Sequence, residues 1–229
     1  RQLLDQLVPD RPAYLTAYDG HSAWVNTAAL QRAGITRLTP NPKNGIIVKD
    51  AGGEPTGVLK ESAMALMRAV VPRPGRAERL AALRAGMREA HRVGVTSVQN
   101  ASGSADEIDL WGELRRDNDL KLRVYHALSA GPDLTEAEAD RFEQTRRAYG
   151  DDALLKTGAV KLMADGVIET HTAAMLEPYS NRPTTGLPNV TPEGLSRVVT
   201  LLDKRGWQIM THAIGDGGIR MSLDAFEAA

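Results

Sequence analysis

Residues 191–211 have the sequence TPEGLSRVVTLLDKRGWQIMT, which predicts a helix that is followed directly by a strand. Thr191 suits the N-cap, Pro192 suits the first turn, and Gly206 ends the helix. The helix carries an apolar stripe at helical spacing, formed by Leu195, Val198, Val199 and Leu202. The short apolar run Trp207–Thr211 has the length and composition of a buried strand.

The same alternation of helix and strand recurs from Arg76 to the end of the chain. The predicted helices are Arg76–Arg92, Ser104–Asp119, Thr135–Tyr149, Thr191–Arg205 and Ile219–Ala229. The predicted strands are Val95–Gln99, Leu122–Leu128, Ala159–Ala164 and Trp207–Thr211. Strands that alternate with helices of this length indicate a parallel sheet. A closed (β/α)8 barrel needs eight such units in about 250 residues, so four units over residues 76–229 predict a partial TIM barrel.

Residues 1–75 have a different pattern, which predicts an α+β insertion or subdomain that ends at the Pro-rich junction Pro72–Gly75. Its predicted elements are a strand at Ala13–Tyr18, a helix at Ser22–Ala33 with Ser22 as N-cap, a hairpin of Ile46–Lys49 and Pro55–Leu59, and a helix at Glu61–Val71.

Composition excludes several functional classes. The 229 residues contain 28 Lys+Arg and 29 Asp+Glu, for a net charge of −1, and no cysteine. A disulfide scaffold, a thiol nucleophile and a Cys-liganded zinc are therefore excluded. The near-neutral charge argues against a nucleic-acid partner, and no apolar run approaches the ~18 residues that span a bilayer. Because no signal-peptide pattern is present, we expect a cytoplasmic protein without a membrane partner.

Two polar residues lie near the carboxyl ends of predicted strands, Lys161 within one strand and His212 directly after another. Parallel α/β folds place their functional groups there. Lys161 lies among apolar residues in GAVKLMADG, residues 158–166. It could pair with Asp165, form a Schiff base, or become an anionic metal ligand after carboxylation by CO2. His212 lies in MTHAIGDGG, residues 210–218, and could ligate a metal through its neutral imidazole or simply hydrogen-bond at the strand end, with Asp216 in the turn that follows.

Two further stretches could contact a ligand. The long loop from Ala164 to Val190 contains Glu169 and His171, which could equally be solvated or capping residues. The sequence DGHSAW, residues 19–24, places His21 and Trp24 at a predicted helix start, where Trp24 could also belong to the subdomain core. The chain contains no His-x-His pair, no His-Glu-x-x-His and no Gly-x-Ser-x-Gly, so it does not hold a complete zinc site of about three protein ligands.

Four blocks that occur in order resemble a known family. They are DGHSAWVNTAAL (19–30), VKLMADGVIE (160–169), TAAMLEPY (172–179) and THAIGD (211–216). Together they are similar to the YtcJ-type branch of the amidohydrolase superfamily, which includes N-substituted formamide deformylases. The resemblance covers nearly the whole chain.

The resemblance implies a metal-dependent hydrolase on a TIM barrel that cleaves amide-type C–N bonds of small formamide or N-acyl substrates with metal-activated water. It implies one or two divalent metal ions, with zinc the expected metal. Lys161, carboxylated, would match the fourth-strand ligand and His212 the fifth-strand ligand. The other ligands and the general base would lie before Arg1 and after Ala229, so we expect a central fragment that is inactive alone. His21, Trp24, Glu169 and His171 are the expected substrate contacts.

Two alternatives remain open from the sequence. One is a class I aldolase-like barrel with Lys161 as the Schiff base, and the other is a non-catalytic half-barrel that works as an assembly module. Four open parallel strands would expose apolar edges, so we also expect association with another copy of the chain.

Overall fold

The computed structural model describes residues 1–149 and 152–229. The chain divides into two compact units. The first contains residues 1–73, 165–189 and 214–216, and the second contains residues 74–164, 190–213 and 217–229. The boundary predicted at residue 75 lies close to the division at 73/74, but the long loop 165–189 groups with the first unit and not with the second. Within the described residues, no helix has both the length and the apolar character that crossing a membrane requires.

The first unit is built on a four-stranded antiparallel sheet. Its strands are β1 (Tyr14–Thr16), β2 (Ser22–Val25), β3 (Gly45–Lys49) and β4 (Pro55–Glu61), in the order β1-β2-β4-β3. Its helices are α1 (Gln2–Leu7), α2 (Thr27–Arg32) and α3 (Met64–Arg68). The predicted hairpin is confirmed as β3 and β4. One face of the sheet packs Ala23, Val25 and Leu59 into the core of this unit.

The predicted helix at Ser22–Ala33 is wrong in its first part. Residues Ser22–Val25 form a strand, and α2 begins only at Thr27. The reason is Asn26, which is 1% exposed and caps α2, since its Oδ1 accepts the N–H of Ala29 at 2.9 Å. The same side chain also accepts the Ala13 N–H and donates to two backbone carbonyls. Asn26 therefore fixes the point where β2 ends and α2 begins. The helix predicted from Glu61 likewise starts late, at Met64, because Glu61 ends β4 with a φ of +50°.

The second unit contains four consecutive strand–helix units, as predicted. After helix α4 (Arg76–Arg92), its strands are β5 (Ser97–Gly103), β6 (Arg123–Ser129), β7 (Leu155–Met163) and β8 (Gln208–His212). The helices that follow these strands are α5 (Ala105–Arg116), α6 (Glu136–Tyr149), α7 (Pro192–Asp203) and α8 (Asp216–Glu227). The four strands are parallel and lie side by side in chain order. The chain is therefore an α/β protein with a parallel sheet.

The parallel sheet has one face covered by helices. Val160 and Leu162 of β7 are buried against Leu195 and Leu202 of α7. Because side chains alternate between the two faces of a strand, Lys161 and Met163 project from the opposite face. This alternation determines which polar groups the sheet presents at the carboxyl ends of its strands.

Candidate functional site

Lys161 lies two residues before the end of β7 on the face that the helices do not cover. It is half-buried, and burial lowers the pKa of its amine. Its Nζ forms no hydrogen bond or ion pair with any residue in 1–149 or 152–229. The structure thus presents a lysine without a counter-charge near the carboxyl end of an interior strand, which is the feature that made Lys161 a candidate in the sequence.

His212 is the last residue of β8 and lies beside β7. Its Cα pairs with that of Met163, while Lys161 pairs with Met210. Lys161 and His212 are therefore diagonal neighbours on the same face of adjacent parallel strands. Strand spacing and residue rise put their Cα atoms about 8 Å apart, a span that a long lysine side chain and an imidazole can bridge from either side.

The described residues do not bring three histidine or carboxylate side chains together in a group that could hold a metal. The parallel sheet supplies a lysine and one histidine, and a catalytic zinc takes about three protein ligands. The two ligand candidates are thus a partial set within the described residues.

Ser129 is a neighbour of Lys161 that the sequence analysis did not identify. Its Cα pairs with that of Lys161, so both side chains lie on the uncovered face. The hydroxyl of Ser129 lies 2.9 Å from the hydroxyl of Ser102 on β5. Ser129 is the last residue of β6, and its polar side chain at a strand end was the sequence signal that could have identified it.

His126, near the end of β6, has a structural role. It is fully buried on the helix-covered side, and its Nε2 lies 3.0 Å from the carbonyl oxygen of Ser104. Its Nδ1 faces the amide nitrogen of Asn100 at 3.2 Å. Because Nε2 must donate to a carbonyl while Nδ1 accepts, this arrangement suits a neutral imidazole, and burial lowers the pKa of His126.

Asp165 is fully buried and serves the backbone of the first unit. Its carboxylate accepts the N–H groups of Ala174 at 2.9 Å, Ile214 at 3.0 Å and Gly215 at 2.8 Å. In the described part of the chain Asp165 forms no ion pair, so the carboxylate that the sequence offered as a partner for Lys161 is used by the backbone. Asp216 acts similarly, since its Oδ1 accepts the Leu176 N–H at 2.8 Å.

His21 belongs to a polar cluster in the first unit. Its Nδ1 lies 3.0 Å from Oε2 of Glu61, and both side chains are about nine-tenths buried. The other carboxylate oxygen of Glu61 accepts the hydroxyl of Thr172 at 2.7 Å. This cluster ties the end of β4 to the loop 165–189. Glu61 was predicted as a helix start, so its role here was missed.

Trp24, Glu169 and His171 all lie in the first unit. Trp24 is half-buried on the face of the antiparallel sheet that points away from the core. Glu169 is exposed in the loop. His171 has a φ of +58°, its Nε2 lies 3.0 Å from Oδ1 of Asn181, and its ring centroid lies 4.9 Å from that of Tyr179.

Comparison with known proteins identifies the family. Residues 1–229 match the Amidohydrolase family over their whole length, and the chain belongs to that family. It is 35% identical over 233 residues to YtcJ of Bacillus subtilis (strain 168), which is named as an amidohydrolase. The match covers 98% of this chain and 42% of YtcJ. It is 25% identical to the N-substituted formamide deformylase of Arthrobacter pascens, across the full chain and 43% of that enzyme. The predicted resemblance to the YtcJ-type branch is confirmed.

A solved structure shares the fold. The crystal structure of a metal-dependent hydrolase from Pyrococcus furiosus superposes with a TM-score of 0.66 at 25% identity, covering 97% of this chain and 45% of that one. The chain thus spans less than half the length of these relatives.

Proposed function

We propose that this chain forms part of a metal-dependent amidohydrolase that hydrolyses amide-type C–N bonds of small formamide or N-acyl substrates. The observation that carries the proposal is the placement of Lys161 and His212 as diagonal neighbours on the uncovered face of two adjacent parallel strands. In parallel α/β folds the carboxyl ends of the strands carry the reactive groups. The four consecutive strand–helix units and the likeness to the Pyrococcus furiosus hydrolase favour a partial TIM barrel.

The two side chains fit a divalent metal by their chemistry. A neutral imidazole is a common zinc ligand. A protonated lysine would repel a cation, but the half-buried amine of Lys161 has a lowered pKa, which favours the neutral form that CO2 carboxylates to an anionic oxygen donor. An imidazole nitrogen and a carbamate oxygen are both donors that zinc accepts, and we propose zinc as the metal.

In this proposal Lys161 and His212 hold the metal, which when bound supplies Lewis acidity towards water and the substrate carbonyl. The chain's own residues fix the geometry. The backbone of Ala164 donates to the carbonyl of His212 at 2.8 Å, which holds the ends of β7 and β8 together. Ser129 offers a hydroxyl next to Lys161, which could orient its head group. His21, Trp24, Glu169 and His171 remain proposed substrate contacts.

The test uses the full-length protein, a panel of N-substituted formamides and N-acetyl amines, and metal analysis by mass spectrometry. We expect Lys161→Ala and His212→Ala to lose bound metal and to lower kcat/KM by at least about 100-fold. Lys156→Ala in the same strand and His91→Ala on α4 are matched controls, because both residues are exposed. Full activity and full metal content in both site variants would refute the assignment. Residues 1–229 expressed alone are expected to be inactive.

The alternative of a Schiff-base enzyme is favoured by one observation, the lowered pKa of the Lys161 amine. Borohydride reduction in the presence of a carbonyl substrate distinguishes the two. A covalent adduct on Lys161 would support the Schiff base, whereas hydrolysis that is lost on chelation and restored by zinc supports the amidohydrolase.

A further inference from the structure

Lys60 is a half-buried cation in the antiparallel sheet of the first unit. Its Cα pairs with those of Ser22 on β2 and Ile46 on β3, so its side chain leaves the face opposite the core. Its Nζ donates to the carbonyl oxygen of Thr170 at 2.7 Å. An ammonium group has three donors, and among residues 1–149 and 152–229 the other two have no partner.

Arg182 is a second cation in the same region of this unit. The contact between His171 Nε2 and Asn181 Oδ1 at 3.0 Å brings the segment that carries Arg182 next to the segment that carries Thr170. Arg182 is exposed, and its guanidinium has no hydrogen bond or ion pair to any described residue. Burial lowers the pKa of the Lys60 amine. The positive charge of Arg182 lowers this pKa further.

Among the described residues, the nearby carboxylates form no ion pair with either cation. Glu61 opposes the lowering of the Lys60 pKa, but its two oxygens are engaged by His21 and Thr172. Glu169 is exposed in the same loop and, in the described part of the chain, forms no ion pair. Because neither cation forms an ion pair with a described residue, both side chains keep donors that an oxyanion can accept.

We propose that Lys60 and Arg182 form a binding site for a small oxyanion, a carboxylate or a phosphate. The guanidinium can bind two oxygens in its planar fork, and the ammonium adds a point charge. Trp24 lies on the same sheet face, diagonal to Lys60 through its pairing with Val58, and gives the site an apolar flank. The oxyanion is either part of an acidic substrate, which rests on the proposed function, or a free anion such as phosphate.

Binding is tested on the full-length protein by calorimetric titration with inorganic phosphate. We expect Lys60→Met and Arg182→Gln each to weaken binding about tenfold or more, since each removes a charge-assisted contact. Lys49→Met is a matched control, because Lys49 lies in the same sheet and its Nζ donates to the backbone carbonyls of Arg37 and Thr39 at 2.8 Å. Arg68→Gln is the arginine control. Lys161→Ala should retain binding, which separates this site from anion binding at a metal.

The source of the oxyanion is tested by comparing N-benzylformamide with its para-carboxylate as substrates. If Lys60→Met and Arg182→Gln raise KM for the carboxylate substrate alone, the oxyanion is part of the substrate. If KM changes equally for both substrates while phosphate binding is lost, the oxyanion is a free anion. Absent phosphate binding in the wild type, or unchanged binding in both variants, overturns the site. If Lys60→Met does not fold, two other variants still test the site. Arg182→Gln, at an exposed position, should weaken phosphate binding, and the conservative Lys60→Arg should retain it. Binding without any hydrolysis would overturn the proposed function and leave this site standing.

Discussion

Replacing Asp165 is predicted to release the chain segments that leave β7 and β8. The carboxylate is fully buried and accepts three backbone N–H groups, from Ala174, Ile214 and Gly215. Ile214 and Gly215 follow His212 by two and three residues, and Ala174 lies in the long loop after β7. Asp165 is therefore expected to hold together the two segments of the first unit that contain Ala174 and Ile214–Gly215.

The magnitude follows from the number of donors left without an acceptor. Asp165→Ala orphans three N–H groups, and a buried unsatisfied donor costs about 1–3 kcal/mol. The bonds to Ala174 and Gly215 are buried, whereas the bond to Ile214 is only partly buried, and removing a buried charge returns some desolvation energy. We expect a loss of about 3–5 kcal/mol. Asp165→Asn can keep the two bonds made by Oδ2 but turns its NH2 towards the Ile214 N–H, so we expect about 1–3 kcal/mol.

The assay combines urea unfolding with hydrogen exchange measured on peptides that cover residues 170–176 and 212–217. Exchange should accelerate in both peptides, more in Asp165→Ala than in Asp165→Asn. Glu169→Ala in the same loop is the control, because its side chain is exposed and should change stability by less than about 0.5 kcal/mol. If both Asp165 variants match this control in stability and exchange, the carboxylate does not anchor these segments.

Further predictions concern the second unit. Gly103→Ala should lower the free energy of unfolding in urea by at least about 2 kcal/mol, because its Cβ would lie 2.1 Å from His126 Cε1. Gly86 lies in the exposed middle of α4, and a Cβ there meets no atom within 4 Å, so Gly86→Ala should raise the free energy of unfolding by about 1 kcal/mol. Burial lowers the pKa of His126 below 6.5, so the unfolded chain takes up the proton first and stability should fall as the pH drops below about 6.5, less steeply in His126→Asn. The hydrogen bond from Arg115 lowers the pKa of Asp152 to about 2, and Arg115→Ala should return its NMR titration midpoint towards 3.8.

The strand–helix alternation was predictable because each helix carries its own boundary signals. Thr191 caps α7 through its contact with the Gly194 N–H at 3.1 Å, and Ser104 forms a capping box with Glu107 on α5. Such signals are local, so the sequence alone contains them. The parallel order of β5 to β8 follows from chain connectivity, since short crossovers place consecutive strands side by side.

The first unit was harder to predict because its contacts are distant in sequence. Asn26 breaks the predicted helix through bonds to residues 8, 11 and 13, and Glu61 meets Thr172 across 111 residues. No periodicity reports such contacts. The loop 165–189 shows the same limit, because a long polar segment predicts function or disorder, while here Asp165 and Glu61 organise it.

Several acidic residues of the first unit are engaged by hydrogen-bond donors. Asp165 and Asp216 accept backbone N–H groups, and Glu61 is shared between His21 and Thr172. A carboxylate that satisfies buried donors is costly to divert to a metal, because each released donor would need another partner. Lys161 has no such commitment in the described residues, and it lies diagonal to His212 on the sheet face opposite to the one packed against α7. This difference is the physical reason behind the proposal that a modified lysine and a histidine bind the metal, whereas Asp165, Asp216 and Glu61 hold the structure of the first unit.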